Sequence, residues 1–375
     1  MKQLGVDKIF LTLLIILSVL GIFIFTSASM GLLTENVNQF KMTIIKQVMQ
    51  GLVLGWIFLY TSSRIDYKNW NSASKYIYIG SLILALCVFI PGVGLEAGGA
   101  KRWIILGPVN FQPSEIIKLG FVLFYASFLA YTKDRIKTFK YGLLPSILIL
   151  LLPVIIILQQ HDTGTLLSII AAGLAMFIVA GGRWRHFIAL IGLVVLMVVV
   201  VIYIKPYAME RIKTFLDPSR DPQGAGYQLR QSLIAIGSGK LTGRGFGQSI
   251  QKFTFLPEAT SDAIFAVAGE EFGFIGSSAI VILFLFFGLR GLRIANQTHE
   301  NYGRLTTVGL MTLVIWQSFI NMGAMLGIVP LTGVPLIFLS HGGTALFITL
   351  FEMGIILNIS KHIKHQNTET QRISA

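Results

Sequence analysis

The stretch "IFLTLLIILSVLGIFIFT", from Ile9 to Thr26, carries no charged residue and decides the fold class of this protein. A helix of about 20 mostly apolar residues crosses the hydrocarbon core of a bilayer, and this stretch with its neighbours is long enough to do so. Similar runs recur along the 375 residues, of which 54% are hydrophobic and 13% are charged. A soluble chain carries about twice that charged fraction. The sequence therefore predicts an all-α polytopic membrane protein, with residues 1–375 forming a single integral-membrane domain.

The apolar runs predict ten transmembrane helices, and an even number places both chain ends on the same side of the membrane. Cytoplasmic segments are enriched in Lys and Arg, so the basic residues decide which side this is. With the N-terminus inside, the cytoplasmic segments hold most of them, including Lys133, Arg135, Lys137 and Lys140. Both termini, and a tail of about residues 361–375, are therefore predicted to be cytoplasmic. The predicted helices lie at about residues 8–28, 43–62, 74–92, 115–131, 142–160, 164–181, 186–204, 263–289, 304–327 and 339–360.

The formal net charge of +13 would suggest a nucleic-acid partner for a soluble protein. In this chain the membrane topology explains most of that charge, so no nucleic-acid ligand is expected. Two segments on the predicted outer side still carry basic residues that need another reason. They are Pro91 to Ser114 and a long loop of about residues 205–262, between the seventh and eighth helices.

The long loop is predicted to be structured. In "GYQLRQSLIAIGSG", which starts at Gly226, helical spacing places Leu229, Leu233 and Ile236 on one side, which predicts an amphipathic helix at the outer surface. The following "GSGKLTGRGFGQS" is rich in glycine, and such a loop either simply turns or cradles an anion with its backbone N–H groups. Basic residues nearby favour an anionic ligand, with a solvated face or lipid headgroups as the alternative. These residues are Arg211, Lys240, Arg244 and Lys252.

Charged residues also occur at the predicted helix ends. In "QPSEIIKLGFVLF", Glu115 lies in the first helical turn and Lys118 follows on the same face. The two are either a structural pair or a site where Lys118 reaches outward to a phosphate. His161 and Asp162 occupy a short outer turn, and a structural role is expected for His161 because the partners of a zinc site are absent.

Asp262 ends the long loop where the eighth predicted helix begins. An acid at a helix N-terminus is favourable by itself, which is one explanation for it. The position also lies at the boundary between water and membrane, where partial burial raises the pKa of a carboxyl group. A base at this boundary could meet a substrate with a wet headgroup and a lipid tail.

Several long motifs resemble the SEDS family (shape, elongation, division and sporulation). "FLPEATSDAIFAVAGEEFGFIG" resembles its LPE…TDFIFA…EE-G signature. Further similarity lies in "GGAKRWIILGPVNFQPSEIIKL", "MERIKTFLDP", "GYQLRQSLIAIGSGKLTGRGFGQSIQK" and "NMGAMLGIVPLTGVPLIFLSHGG". "FIFTSASMG" and "FIPGVGLEAGGAKRWI" are more similar to the FtsW/SpoVE division branch than to RodA. The resemblance covers nearly the whole chain.

The resemblance implies a peptidoglycan glycosyltransferase of the bacterial cytoplasmic membrane, acting in cell division. Such an enzyme polymerises lipid II, a disaccharide-peptide on undecaprenyl pyrophosphate, into β-1,4 glycan strands at the outer face. The family's essential aspartate matches Asp262, which implies a general base. Glu258 is expected to bind metal, hold Lys252 or cap the loop, and Ser261 retains the hydroxyl that usually precedes the acid. The expected ligands of the leaving pyrophosphate are Lys101, Arg102, Lys118, Arg211 and Lys252.

No cofactor is certain from the sequence, although a divalent cation such as Mg or Mn could share the role of these cations. The resemblance also implies partners: a class B penicillin-binding protein (an FtsI-like transpeptidase), other divisome proteins and membrane lipids. The small residues of "NMGAMLG" are compatible with a close helix contact to such a partner. Two alternatives to catalysis stay open, a lipid II flippase and a non-enzymatic scaffold for the transpeptidase.

Overall fold

The computed structural model describes residues 5–34, 36–97, 100–106, 109–204 and 206–373, and most of them are helical. Among these residues nine helical segments are long and apolar enough to cross a membrane. A tenth apolar helix has 17 residues and corresponds to the sixth predicted span. The helices are α1 Lys8–Ser29, α2 Val37–Lys46, α3 Leu54–Arg64, α4 Tyr67–Leu86, α5 Pro113–Thr132, α6 Leu144–Gln159, α7 Thr163–Val179, α8 Trp184–Ile204, α9 Pro206–Leu216, α10 Ala225–Ser238, α11 Ile264–Gln297, α12 Asn301–Met325 and α13 Gly343–Ile373.

Shorter elements complete the chain. A π-helical turn, Gln47–Val53, joins α2 to α3, and a second, Phe139–Leu143, precedes α6. A three-stranded antiparallel sheet lies between α4 and α5, in the order β1 Gly94–Ala97, β2 Ala100–Leu106 and β3 Val109–Phe111.

Several predicted helix boundaries differ from the structure: the second helical span begins at Val37 rather than near residue 43, and the eighth ends at Gln297 rather than near residue 289. The third helix begins at Tyr67 rather than near residue 74, because the side chain of Asp66 accepts a hydrogen bond from the Lys68 N–H and caps this earlier turn. The last helix begins at Gly343 rather than near residue 339, because the apolar segment before it is not helical. Hydrophobicity alone does not distinguish such a buried segment from a helix.

The helices share one hydrophobic core that extends from Phe10 on α1 to Ile363 on α13. The apolar windows of α12 and α13 are 72% and 83% buried, so these helices form the centre of the bundle. The window of α8 is only 6% buried, so this helix lies at the periphery.

The bundle has two ends that differ in their charged groups. At one end Asp7 caps α1 and its carboxylate accepts a hydrogen bond from the Arg290 Nε at 3.0 Å. Near that end the Lys361 Nζ donates to the Ser63 carbonyl at 2.6 Å. The opposite end holds Asp262 and the long loop, since α11 begins beside Asp262 and runs toward Arg290.

The long loop between α8 and α11 contains α9, α10 and a glycine-rich turn. On α10, Leu229, Ser232 and Ala235 are buried, whereas Leu233 is 44% exposed. Ile236 packs against the core, and a Cβ added at Gly269 of α11 would lie 2.9 Å from the Ile236 Cγ1. The buried face therefore includes Leu229 and Ile236 of the predicted stripe but not Leu233.

The glycine-rich turn pairs with a break in α11 at Gly273, where φ is 65° and ψ is −163°. The Phe274 N–H donates to the Lys240 carbonyl at 2.8 Å, and the Gly245 N–H donates to the Glu271 carbonyl at 3.0 Å. A Cβ added at Gly243 would lie 2.1 Å from the Glu271 carbonyl oxygen. The glycines thus allow backbone to meet backbone, and two N–H groups that the anion-cradle interpretation needed, those of Arg244 and Gly245, already have partners.

Candidate active site

Asp262 lies in the turn that leads into α11, and its backbone is fixed from two sides. The buried Asn321 of α12 donates from Nδ2 to the Asp262 carbonyl at 2.8 Å and to the Val334 carbonyl at 2.7 Å. Ser340 donates from Oγ to the Ser261 carbonyl at 2.5 Å, and the His341 N–H donates to the Thr260 carbonyl at 2.7 Å. The chain direction at Asp262 therefore depends on α12 and on the segment before α13.

Two cavities meet at the Asp262 side chain. The smaller, about 90 Å³, is also lined by Arg211, Gln228 and Asn321. The larger, about 140 Å³, has a more polar wall. That wall includes Arg102, Trp103, Gln112, Asp162, Gln317 and His341. A group bound in either cavity would contact the Asp262 carboxyl group.

The segment Leu331–Pro335 contributes to the walls of both cavities, and Gly333 within it lies close to two charged groups. A Cβ added at Gly333 would lie 3.6 Å from the Asp262 Oδ2 and 3.7 Å from the Arg211 Nη2. The φ angle of Gly333 is 68°, which glycine adopts without strain. Glycine therefore allows the backbone conformation that this segment adopts beside Asp262 and Arg211.

The two arginines are held by backbone carbonyl groups. Arg211 donates from Nη1 to the Thr332 carbonyl at 3.1 Å and to the Thr163 Oγ1 at 3.3 Å. Arg102 donates from Nε to the Gln160 carbonyl at 3.1 Å, and from Nη2 to the His161 carbonyl. A guanidinium group presents five N–H donors in a fixed planar geometry, so these bonds orient each arginine within the protein.

Burial raises the pKa of the Asp262 carboxyl group from its ordinary value of 3.8 to about 6, and the negative charge of Glu258 adds to this effect. The positive charges of Arg211 and Arg102 lower the pKa of Asp262, whereas the negative charge of Asp162 raises it further. A carboxyl group with a pKa near 6 is mostly ionised at neutral pH and accepts a proton more readily than an ordinary aspartate.

Glu258 and Ser261 form a tight turn before Asp262. The Ser261 and Ala263 N–H groups donate to the Glu258 carbonyl at 3.1 Å and 3.0 Å, and the Ser261 Oγ donates to the Glu258 carboxylate. Ser261 lines the larger cavity, and Glu258 is exposed. Of the three roles expected for Glu258, capping the loop agrees best with this turn, and holding Lys252 does not, because Lys252 pairs with Glu271.

Lys118 lies behind the wall of the larger cavity. Its Nζ is 2.9 Å from the Glu115 Oε2 and donates to the Gln317 Oε1 at 3.0 Å, and both Glu115 and Gln317 line the cavity. Its side chain is only 4% exposed. Lys118 is thus a buried partner of residues that line the cavity, which agrees with the structural pair left open from the sequence.

Two expected pyrophosphate ligands lie elsewhere. Lys252 is buried, with its Nζ 2.7 Å from the Glu271 Oε1 and 3.0 Å from the Ser27 Oγ. Its ammonium group joins the loop to α1 and α11, so the expectation that it meets a pyrophosphate does not fit this position. Lys101 is exposed on β2, outside the walls of the two cavities.

Sequence reasoning missed several residues that line the cavities. Asp162 caps α7 by accepting a hydrogen bond from the Thr165 N–H at 3.2 Å. Its carboxylate also accepts from the Gln112 Nε2 at 3.1 Å and lines the larger cavity. Asn321 and Gln317 were missed altogether. Their spacing on one face of α12 was a weak signal, since two amides four residues apart within an apolar helix are costly to bury unless both have partners.

The predicted divalent cation stays a prediction. In the part of the chain that the structure describes, no three His, Cys, Asp or Glu side chains converge to hold a metal ion. Mg²⁺ often binds through one or two carboxylates together with substrate phosphates, and the acids in the walls of the two cavities are Asp262, Asp162 and Glu115.

Comparison with known proteins places this geometry in a family. A sequence model of the FtsW/RodA/SpoVE family, described as a cell cycle protein, matches residues 7–365. The chain is 38% identical over 359 residues to the probable peptidoglycan glycosyltransferase FtsW of Geobacter sulfurreducens, with 96% of each chain covered.

Solved structures with the same fold include a chain from the work described as "Structural coordination of polymerization and crosslinking by a peptidoglycan synthase complex". Its TM-score is 0.79 at 26% identity, and the match covers 96% of this chain and 98% of that one. The rod shape determining protein RodA of Thermus thermophilus matches with a TM-score of 0.70 at 26% identity, covering 96% and 98%. The polytopic helical fold predicted from the apolar runs is thereby confirmed.

Proposed function

Because this chain belongs to the FtsW/RodA/SpoVE family, we propose that it is a peptidoglycan glycosyltransferase that polymerises lipid II into β-1,4 glycan strands. The name of its Geobacter relative supports the reaction class. The observation that carries the proposal is the position of Asp262, a carboxyl group with a pKa of about 6 where two cavities meet, one lined by Arg211 and the other by Arg102.

The proposed reaction needs one base and one group of cations. The Asp262 carboxylate takes the proton of the acceptor 4-hydroxyl as that oxygen forms a bond to C1 of the donor sugar. The bond between C1 and the pyrophosphate oxygen breaks, and its electron pair leaves with undecaprenyl pyrophosphate. An α-linked donor then yields a β-linked product in a single inversion. A positioned base contributes about 10²–10⁴-fold to such a step.

Arg211 stabilises the negative charge that develops on the leaving pyrophosphate directly, and Arg102 adds positive charge from the wall of the neighbouring cavity. Their guanidinium groups are oriented before substrate arrives, by hydrogen bonds to Gln160, His161, Thr163 and Thr332. Preoriented donors in a partly enclosed site stabilise developing charge more than mobile ones do. A divalent cation, where one is bound, would supply further positive charge at the pyrophosphate.

The proposed location of this site is the outer face of the bacterial cytoplasmic membrane, with both termini cytoplasmic. The support is the distribution of basic residues, since Arg64, Arg290 and Lys361 lie toward the bundle end opposite Asp262. Cytoplasmic ends of membrane helices are the ones enriched in Lys and Arg.

The proposed partner is a class B penicillin-binding protein, and the proposed setting is cell division. A solved chain with this fold comes from a peptidoglycan synthase complex that coordinates polymerization and crosslinking, which supports such a partner. The identity of 38% to an FtsW, against 26% to a RodA, supports the division branch. The segment "NMGAMLG" is not the contact surface expected for the partner, because Asn321, Met322 and Ala324 are buried within the bundle.

The decisive experiment is polymerisation of purified lipid II by the detergent-solubilised protein, with and without a cognate class B penicillin-binding protein. We expect Asp262→Asn to reduce polymerisation at least about 100-fold, because it removes the base. The matched control is Asp217→Asn, an acid of the same loop whose partners are Ser219 and Arg220.

Each alternative makes a different prediction in this assay. Both faces of the protein are open in detergent, so no flipping is needed, and a pure flippase or scaffold would show no polymerisation by the wild type. Near-normal turnover by a well-folded Asp262→Asn protein would remove Asp262 from the role of base.

A further inference from the structure

Helix α8 is packed against the rest of the protein less than the other long helices. Only Leu190 is buried among its residues. Its half-buried residues nevertheless follow helical spacing, at Val194, Met197, Val198 and Val201. One face of α8 is therefore directed toward the bundle but is only partly covered by side chains of the other helices.

Two apolar cavities lie along this inner face. The first, about 130 Å³, lies between α6, α7 and α8 and includes Leu190, Val194 and Met197. The second, about 290 Å³, includes Met197, Val201 and the residues of α7 and α9 opposite them. Met197 borders both, so the two cavities are neighbours along α8, and together they are here called the α8 groove. From Leu190 to Ile202 it follows α8 for about 18 Å.

The α8 groove ends at a charged residue. The second cavity is bordered by Arg211, Leu331 and Thr332, and the same three residues line the cavity that contains Asp262. The remaining wall of the groove is apolar apart from Thr163. The groove and the cavity of Asp262 are therefore adjacent, and Arg211 lies in the wall of both.

We propose that the α8 groove binds the polyprenyl chain of the donor substrate, with the adjoining pyrophosphate at Arg211. This inference rests on the proposed function and assigns the two cavities: the donor occupies the Arg211 side, and the acceptor sugar occupies the cavity lined by Arg102 and Trp103. Polarity is the reason, because a polyprenyl pyrophosphate is a single long apolar chain that ends directly in an anion. The groove has the same order, an apolar length followed by one cation.

A membrane phospholipid fits this order less well. Its two acyl chains are esterified to a glycerol, which stands between the chains and the phosphate. The phosphate therefore does not follow directly on one apolar chain. The poor packing of α8 also suits a ligand that must enter sideways from the bilayer, since few contacts within the protein are lost when a chain slides under the helix.

The first test measures binding of undecaprenyl phosphate to the full-length protein in detergent, without turnover. Val201→Trp fills the groove, and the matched control Val200→Trp places the same ring on the 44% exposed opposite face of α8. We expect at least about 10-fold weaker binding by Val201→Trp and unchanged binding by Val200→Trp. Equal binding by the two variants would overturn the inference, as would equal displacement of the probe by dioleoyl phosphatidylglycerol.

The second test uses the wild-type protein, so it does not depend on how a variant folds. An undecaprenyl phosphate with a diazirine on its polyprenyl chain is bound and irradiated, and the labelled peptides are identified. Labels in Leu190–Ile202 support the groove, because these residues of α8 do not line the cavity of Asp262. Absence of labels from this stretch of α8 contradicts it.

The two tests separate this inference from the function on which it rests. A protein that binds the probe in the groove but does not polymerise lipid II contradicts the proposed function and supports the groove. A protein that polymerises lipid II, while Val201→Trp binds like Val200→Trp, contradicts the groove alone.

Discussion

The acid limb of the pH profile is the most direct consequence of the environment of Asp262. Its pKa of about 6 means that about nine-tenths of the carboxyl groups are ionised at pH 7 and about one-tenth at pH 5. Because only the ionised form accepts a proton, kcat/KM should fall about 10-fold between these two values. With a pKa of 3.8, the same carboxyl group would lose only about 6% of its ionised form over this interval.

Substitution of a neighbouring charge should move this limb in a known direction. The negative charge of Glu258 raises the pKa of Asp262, so Glu258→Gln should lower it and shift the acid limb to lower pH. At pH 5 this variant should therefore retain a larger fraction of its own maximal rate than the wild type does. Glu210→Gln is the control, because Glu210 is an exposed acid of the same loop paired with Lys213.

The assay is the initial rate of glycan-strand formation at lipid II concentrations below KM, from pH 4.5 to 8. Both phosphates of the substrate are esterified, so its pyrophosphate has no further ionisation in this range. Thermal unfolding at pH 5 distinguishes loss of rate from loss of structure. A rate that stays constant from pH 7 to pH 5, or a shift of the Glu258→Gln limb to higher pH, would refute the assignment of Asp262 as a buried base.

Two further variants test how the site is built. Asn321→Ala removes both hydrogen bonds that hold the Asp262 and Val334 carbonyls, and we expect kcat to fall about 100-fold because the acid is misplaced. The control Ser318→Ala loses only a hydrogen bond within its own helix and should retain activity in the same polymerisation assay. Lys252→Met leaves the buried Glu271 unpaired and should destabilise the fold by about 3–5 kcal/mol, seen as a lower unfolding temperature in detergent, with little change in KM for lipid II. Unchanged kcat for a folded Asn321→Ala protein, or an unchanged unfolding temperature for Lys252→Met, would contradict these assignments.

The helices of this protein were predictable from contiguous residues. A bilayer requires about 20 apolar residues and internal hydrogen bonds, and this requirement can be read from any single stretch such as Ile9 to Thr26. Local capping was readable in the same way, although the cap at Asp66 was overlooked and its helix was predicted to start too late. The position of Asp262 at the start of a helix was also local information.

The chemistry of the site was only partly predictable, as a comparison of two basic residues of one loop shows. Arg211 and Lys252 are equivalent candidates in the sequence, yet Arg211 lines the cavity of Asp262 and Lys252 is enclosed with Glu271 and Ser27. Nothing within several residues of either one distinguishes them.

Apolarity and the ionisable acid at the head of α11 are thus properties of the sequence itself. Only the tertiary structure decided that this acid is buried, which cations face it and which are used to hold the loop. The physical reason is that the pKa and the partners of a charge depend on everything within a few ångströms. For Asp262 those neighbours include Arg102, Asp162 and Asn321, which come from three distant parts of the chain.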